Sequence, residues 1–182
     1  EYQKEAFEKW KNNKQKGLFA MATGTGKTIT SLNCLLEIYK KKGYYKALIL
    51  VPTIALVEQW EQECRKFRFD SIVKVCSKYN NWKQSVANLR MIEKTRTNGE
   101  ISYIIISTYS SFVRSNVCSE LNQFSSKQLL LIADEAHNMG GGLMSLKMND
   151  IKYLRRIGLS ATPERQFDEN GNQQLMDFFG CN

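Results

Sequence analysis

Short, nearly continuous apolar runs alternate along this chain with longer stretches in which apolar residues recur every three or four positions. The first kind predicts strands buried on both faces, the second amphipathic helices laid over them. Gly17–Ala22 predicts a strand, followed by a Gly-rich turn and a helix to about Lys42. Lys46–Val51 predicts a second strand, stopped by Pro52. From Thr53, a hydroxyl suited to a helix cap, Ile54, Leu56, Val57 and Trp60 fall at helical spacing to about Phe67. Ser71–Cys76 is a third, weaker strand, followed by a polar helix with Val86, Leu89 and Ile92 as its apolar positions. Ile101–Ser107, Leu129–Ala133 and Arg156–Ser160 complete a set of six strands, and a last helix lies near Gln173–Phe179. Strands with interleaved helices predict one three-layer α/β domain with a mostly parallel central sheet. No repeat or linker interrupts residues 1–182, and Gly140–Gly142 reads as a loop.

Composition narrows the picture. At 182 residues with 42% apolar and 24% charged positions, the chain suits one globular domain. Lys plus Arg number 26 against 18 Asp plus Glu, a net charge of +8. The excess is uneven: residues 1–100 hold 19 bases and 10 acids, residues 101–182 hold 7 and 8. A basic half makes a polyanionic partner plausible without specifying a fold or a reaction. Five widely spaced cysteines fit neither a disulfide framework nor a CxxC site, which favours a reducing compartment, the cytoplasm. His137 is the only histidine, so His-rich zinc sites are excluded. No apolar run is long enough to cross a bilayer, and residues 1–16 lack the apolar segment of a signal peptide. The chain starts without Met and is expected to be a piece of a longer protein.

The sharpest chemical signal is Thr23-Gly-Thr-Gly-Lys-Thr28, at a strand-to-helix junction. Glycines let the backbone wrap a phosphate, and the N-terminus of the next helix adds a favourable dipole. Lys27 would reach the outer phosphates, and the Thr28 hydroxyl would ligate Mg²⁺. Met21 stands where the pattern GxxxxGK plus Ser or Thr has its first glycine. A second signal is Leu129-Leu-Leu-Ile-Ala-Asp-Glu-Ala-His137, an apolar strand ending in two carboxylates. Ligands of open α/β sheets bind beyond the carboxyl ends of strands, where Asp134 could hold Mg²⁺ and Glu135 orient or deprotonate a water. Alone, such a pair is most often a loop start or a helix cap; after a phosphate loop it reads as a nucleoside triphosphatase signature.

Met21–Thr28, Asp134-Glu-Ala-His137 and Gly158-Leu-Ser-Ala-Thr-Pro163 resemble motifs I, II and III of superfamily 2 helicases, in the flavour of DEAH-type restriction-enzyme motors and repair helicases. Val51–Trp60 is similar to motif Ia, Ile105–Tyr109 to motif Ib, and Tyr2-Gln3 to the segment with the adenine-reading glutamine. The resemblance implies a RecA-like P-loop NTPase lobe that binds ATP and Mg²⁺. It implies Gln3 on adenine, and Thr23, Gly24, Thr25, Gly26, Lys27 and Thr28 around the phosphates, with Thr28 and Asp134 on the metal. Glu135 would act on the hydrolytic water, so Lys27, Asp134 and Glu135 form the catalytic set. His137 would couple the nucleotide site to Ser160 and Thr162. Pro52, Thr53 and Thr108 would lie along a nucleic-acid backbone, duplex DNA being favoured. The second RecA-like lobe, with its arginine finger, belongs beyond residue 182.

Rival readings remain. A small-molecule phosphotransferase would use the same phosphate loop but leaves the Pro-Thr, Asp-Glu-Ala-His and Ser-Ala-Thr segments without a purpose. A non-hydrolysing nucleic-acid binding module is disfavoured by the intact Lys27, Thr28 and Glu135. Thr53 taken alone is equally a helix cap, and His137 taken alone a structural histidine. Trp10, Trp60 and Trp82 read as packing residues, Lys40–Lys42 as a solvated helix end, and Arg155-Arg156 as a surface pair.

Overall fold

A computed structural model describes residues 2–22, 24, 26–114, 116–125, 128–139, 147–161 and 169–180, with the backbone alone for Tyr2 and Gln3. The six apolar runs form β1 (Lys16–Ala20), β2 (Lys46–Val51), β3 (Ile72–Val75), β4 (Tyr103–Thr108), β5 (Leu129–Ala133) and β6 (Arg155–Ser160). They lie in the order β1-β6-β5-β2-β4-β3, and every pairing is parallel. The helices are α1 (Tyr2–Asn12), α2 (Lys27–Lys42), α3 (Ile54–Lys66), α4 (Trp82–Thr95), α5 (Tyr109–Arg114), α6 (Val117–Leu121) and α7 (Glu169–Phe179).

Period-two alternation divides each apolar run between two cores. Ala47, Ile49, Val51, Ile104 and Ile106 pack with Leu32, Leu35, Val57 and Trp60 of α2 and α3. Leu48, Leu50, Ile105, Leu129 and Leu131 pack with Val86, Phe112, Leu121 and Phe179 of α4 to α7. The chain moves outward from β1 through β2 to β3, then returns through β4 and β5 to β6. Right-handed crossovers therefore put the helices of the two legs on opposite faces, which makes the three layers.

In a parallel sheet each crossover helix returns from the carboxyl ends of the strands to their amino ends. The starts of α2 and α3 thus share one rim, and their ends, Lys40–Lys42 and Arg65–Lys66, lie at the far one. Several bases of the first half are answered within their own helices. Lys9, Lys11, Lys40, Arg65 and Lys66 each pair with a glutamate three or four residues away on their own helix.

The far end carries polar chemistry that the sequence did not announce. Lys46, fully buried, pairs with Glu93 of α4 at 2.5 Å, and Glu93 also accepts from the Ser125 backbone N–H at 3.0 Å. Because Glu93 turns inward, the expected core position Ile92 is instead 47% exposed. Arg155 and Arg156 are no surface pair either. Arg155 is buried and donates to the Gln15 side chain at 2.6 Å. Arg156 lies over the Phe178 ring and donates to the Phe178 carbonyl at 2.8 Å. These contacts stitch the start of β6 to the turn after α1 and to α7. On the edge strand β3, Lys74 sits among Glu58, Glu61 and Tyr79, an ionic cover that discourages further strand pairing. The Tyr79 hydroxyl, followed by Lys78, holds the Glu58 carboxyl down to about 2.

Candidate nucleotide and nucleic-acid site

The rim that the fold exposes is formed where β1, β6, β5 and β2 end side by side. Parallel register sets Ala20 opposite Ser160, Gly158 opposite Ala133, and Ala133 opposite Leu50. The three segments that follow are then fastened to one another. The Met21 N–H donates to the Ser160 carbonyl at 3.1 Å, and the Asp134 N–H to the Leu50 carbonyl at 2.8 Å.

After β1 the chain turns through Gly24 (φ +83°) and Gly26 (φ +85°), left-handed conformations that glycine adopts without a Cβ penalty. Gly26 is the N-cap of α2, and no side chain caps that first turn. Its N–H groups and the helix dipole suit an anion. Lys27 folds across the loop, its Nζ donating to the Met21 carbonyl at 2.8 Å. Thr28 begins the same helix and is half-buried. The expected contributors Thr23 and Thr25, and the side chain of Gln3, lie outside the described residues.

Asp134 is the most tightly held group of the rim. It is 7% exposed and is fixed at all its polar atoms. Oδ2 accepts from the Trp60 indole N–H of α3 at 2.8 Å, and Oδ1 from the Glu135 backbone N–H at 2.9 Å. Its carbonyl accepts from the Tyr109 hydroxyl of α5 at 2.8 Å. Burial, reinforced by the neighbouring Asp134 and Glu135 charges, pushes the Tyr109 phenol well above its ordinary value, so it stays a neutral donor. Trp60 and Tyr109 were expected only as packing or motif residues. Hydrophobic spacing reports that a tryptophan is buried, not which acceptor its N–H will find.

Glu135 adopts φ +46°, uncommon for a side-chain-bearing residue, and the chain then enters a short 3₁₀ turn, Ala136–Met139. That bend brings His137 back toward the carboxylate. His137 Nδ1 is 3.5 Å from Glu135 Oε2 and 3.3 Å from the buried Ser160 Oγ. Asn138 Nδ2, which sequence reading passed over, donates to the Glu135 carbonyl at 2.9 Å. Of the three coupling residues expected, His137 and Ser160 are therefore in contact; Thr162 lies outside the described residues.

Pro52 and Thr53 continue this rim after β2. Thr53 is exposed and caps α3, its Oγ1 accepting the Leu56 N–H at 3.3 Å. Thr108 is different: it is buried, and its hydroxyl is engaged by Ser110 Oγ at 3.3 Å and the Ser111 N–H at 3.2 Å. Its side chain starts α5, and the neighbouring exposed group is Ser110.

Among the described residues, no group of three or more His, Cys, Asp or Glu side chains is arranged to hold a metal. In a nucleotide complex Mg²⁺ takes one or two protein oxygens and fills its shell from phosphates and water. Two hollows of about 330 Å³ lie beside α7 and along β1 and α1, and neither is lined by Lys27, Asp134 or Glu135.

The sequence profile of the type III restriction enzyme res subunit matches residues 1–165. This chain belongs to that family. Three further likenesses accompany this match. The chain is 29% identical over 176 residues to a DNA 3'-5' translocase of Sulfurisphaera tokodaii, covering 96% of this chain and 32% of that protein. Its structure resembles a nuclease-deletion mutant of the Type ISP restriction-modification enzyme LlaGI in complex with a DNA substrate mimic, at a TM-score of 0.68 and 25% identity, over 93% of this chain and 18% of that one. It shares the fold of the SWI2/SNF2 ATPase core of Sulfolobus solfataricus in complex with double-stranded DNA, at a TM-score of 0.71 and 19% identity, over 98% and 35% of the two chains. The chain thus spans about a third or less of the length of the curated relatives it matches. The expected three-layer α/β architecture around a parallel sheet is the fold observed.

Proposed function

We propose that this chain is the ATP-binding lobe of a motor that converts ATP hydrolysis into movement along duplex DNA. One observation carries the reading above the others: the ends of β1, β5 and β6 bring Lys27, Asp134, Glu135, His137 and Ser160 to a single rim, with His137 touching both Glu135 and Ser160. A simple phosphotransferase has no use for that last contact, and a passive binding module has none for the Glu135 carboxylate.

On this reading, Gly24, Gly26 and the first turn of α2 hold the phosphates, and Lys27 exchanges its Met21 carbonyl for a phosphate oxygen. Thr28 and Asp134 would hold Mg²⁺, which neutralises phosphate charge when bound. Glu135 orients the attacking water, and His137 reports its state to Ser160 and the segment beyond. Gln3, Thr23, Thr25 and Thr162 keep the roles that the resemblance implies. Pro52, Thr53 and the Thr108–Ser110 turn offer hydroxyls and backbone N–H groups, which bind phosphates without reading sequence. A second lobe would close the open rim. Among the described residues no helix is long and apolar enough to cross a membrane. Cys34, Cys64, Cys76 and Cys118 are free and buried, in keeping with the cytoplasm. Burial pushes the Cys34 and Cys64 thiols up to about 12, so both stay protonated and unreactive.

The direct test is calorimetric titration with ADP and Mg²⁺. Lys27→Ala should lose about 1.5–3 kcal/mol, roughly ten- to a hundredfold in affinity, the usual worth of a hydrogen bond to a charged group. Equal binding by both forms would remove the phosphate-loop assignment.

Binding of DNA by this lobe should be weak, indifferent to sequence and steeply weakened by salt, because backbone contacts release counterions. Replacing Lys40, Lys41 and Lys42 by glutamine should leave the affinity largely unchanged. α2 is 16 residues long, about 24 Å at 1.5 Å per residue, so these charges lie more than two Debye lengths from the rim. Fluorescence anisotropy with unrelated duplexes checks both statements; a strong sequence preference, or a large loss in the triple variant, would contradict them.

A further inference from the structure

We infer that Trp60 is a positioning residue for the metal-side carboxylate, and that through it the nucleic-acid-facing helix α3 is linked to Mg²⁺ binding. The inference rests on the nucleotide-site reading above and adds a residue to it. Trp60 is 1% exposed, and its indole N–H donates to Asp134 Oδ2 at 2.8 Å. The other oxygen, Oδ1, is held by the Glu135 N–H at 2.9 Å. Two fixed donors leave the carboxylate a single orientation, and it carries its charge in a nearly dry setting where each hydrogen bond counts for more.

The position of the donor gives the contact its interest. Trp60 lies on the same helix that begins at the exposed Thr53 cap, two turns further on. Tyr109, the donor to the Asp134 carbonyl, opens the helix that follows Thr108. Both segments offered to nucleic acid therefore end in a hydrogen bond to Asp134. Movement of α3 along its axis would displace an indole that has no freedom to follow independently, since Trp60 is packed with Val57, Ile104 and Ile106.

Groups that orient a metal ligand typically cost about 10–100-fold in metal affinity when removed. Trp60→Phe keeps an aromatic ring and deletes the donor. In titrations of ADP with and without Mg²⁺, the unaltered chain should bind ADP more tightly with the metal. Trp60→Phe should bind ADP in EDTA as the unaltered chain does, while its affinity for Mg²⁺ in the ADP complex falls by about tenfold or more. Asp134→Asn sets the limit of that loss. If Trp60→Phe keeps the full Mg²⁺ gain, or weakens ADP equally with and without the metal, Trp60 is a packing residue and the inference is overturned. If the unaltered chain itself shows no Mg²⁺ gain, the metal-site reading fails with it, a distinct outcome. Should Trp60→Phe not fold, the unaltered chain still decides. Its assigned Trp60 indole N–H resonance should shift when Mg²⁺ is added to the ADP complex, with the Trp10 indole, bonded to the Arg156 carbonyl at 3.0 Å, as the unmoved control. An unmoved Trp60 resonance overturns the proposal.

Discussion

ATP given to this 182-residue chain should be bound and then hydrolysed at a barely measurable rate, with little stimulation by DNA. Phosphoryl transfer is accelerated mainly by positioning and by positive charge placed where negative charge develops. The rim supplies Lys27, the α2 N-terminus, an oriented Asp134 and Glu135 beside His137. It supplies no arginine finger among the described residues, and in phosphate-loop enzymes that group contributes on the order of 10³–10⁵ in rate. The open surface adds to the deficit, because water screens each charge that is present. Joining this chain to a second lobe that carries an arginine should therefore raise turnover by a factor of that order. Glu135→Gln in that longer protein should abolish turnover and spare nucleotide binding. Phosphate release under steady state is the measurement. Brisk, DNA-stimulated turnover by the 182 residues alone would show the lobe to be catalytically self-sufficient.

The largest stability effect is expected far from the nucleotide, at Lys46. Lys46→Met should destabilise the fold by about 3–5 kcal/mol, the usual consequence of removing one member of a buried ion pair. The Glu93 carboxylate would stay buried against Tyr103 with only the Ser125 N–H to answer its charge. Since native domains hold about 5–15 kcal/mol in total, much of the folded state would be lost. Glu93→Leu in the same chain should return part of the loss by removing the stranded charge. Urea unfolding of the two variants gives both numbers. A Lys46→Met variant as stable as the parent would mean that the pair contributes nothing beyond its volume.

These two expectations differ in how far the sequence alone could have led to them. Phosphate loop, Asp-Glu pair and Ser-Ala segment are local, contiguous strings whose chemistry depends on neighbours one to four residues away, so they were legible. So were the six strands, because β2, β4 and β5 carry the unbroken apolar runs Ala47–Val51, Tyr103–Ile106 and Leu129–Ala133, and only a sheet covered on both faces makes sense of them. The near-identity of β2 and β5 with their expected bounds follows from Pro52 and Asp134, which end them.

Helices α1, α5 and α6 were not legible, for opposite reasons. α1 is so polar that its anchor, Trp10, is nearly alone in being buried, whereas α5 and α6, with 6 and 5 residues, are too short for a helical period to register. Charge usually means solvent, so Arg155 and Arg156 read as a surface pair and Glu93 gave no signal. Each is instead drawn inward by a partner at least 22 residues distant in sequence, Lys46, Gln15 or the Phe178 carbonyl. Trp60 and Asp134 are 74 residues apart, and their hydrogen bond exists only because β2 and β5 are neighbours. What the sequence determined by itself was the inventory of elements and of chemically able residues, since both follow from short-range pattern. Which donor meets which acceptor was decided by strand order and register, because those alone set the distance between groups that the chain keeps far apart.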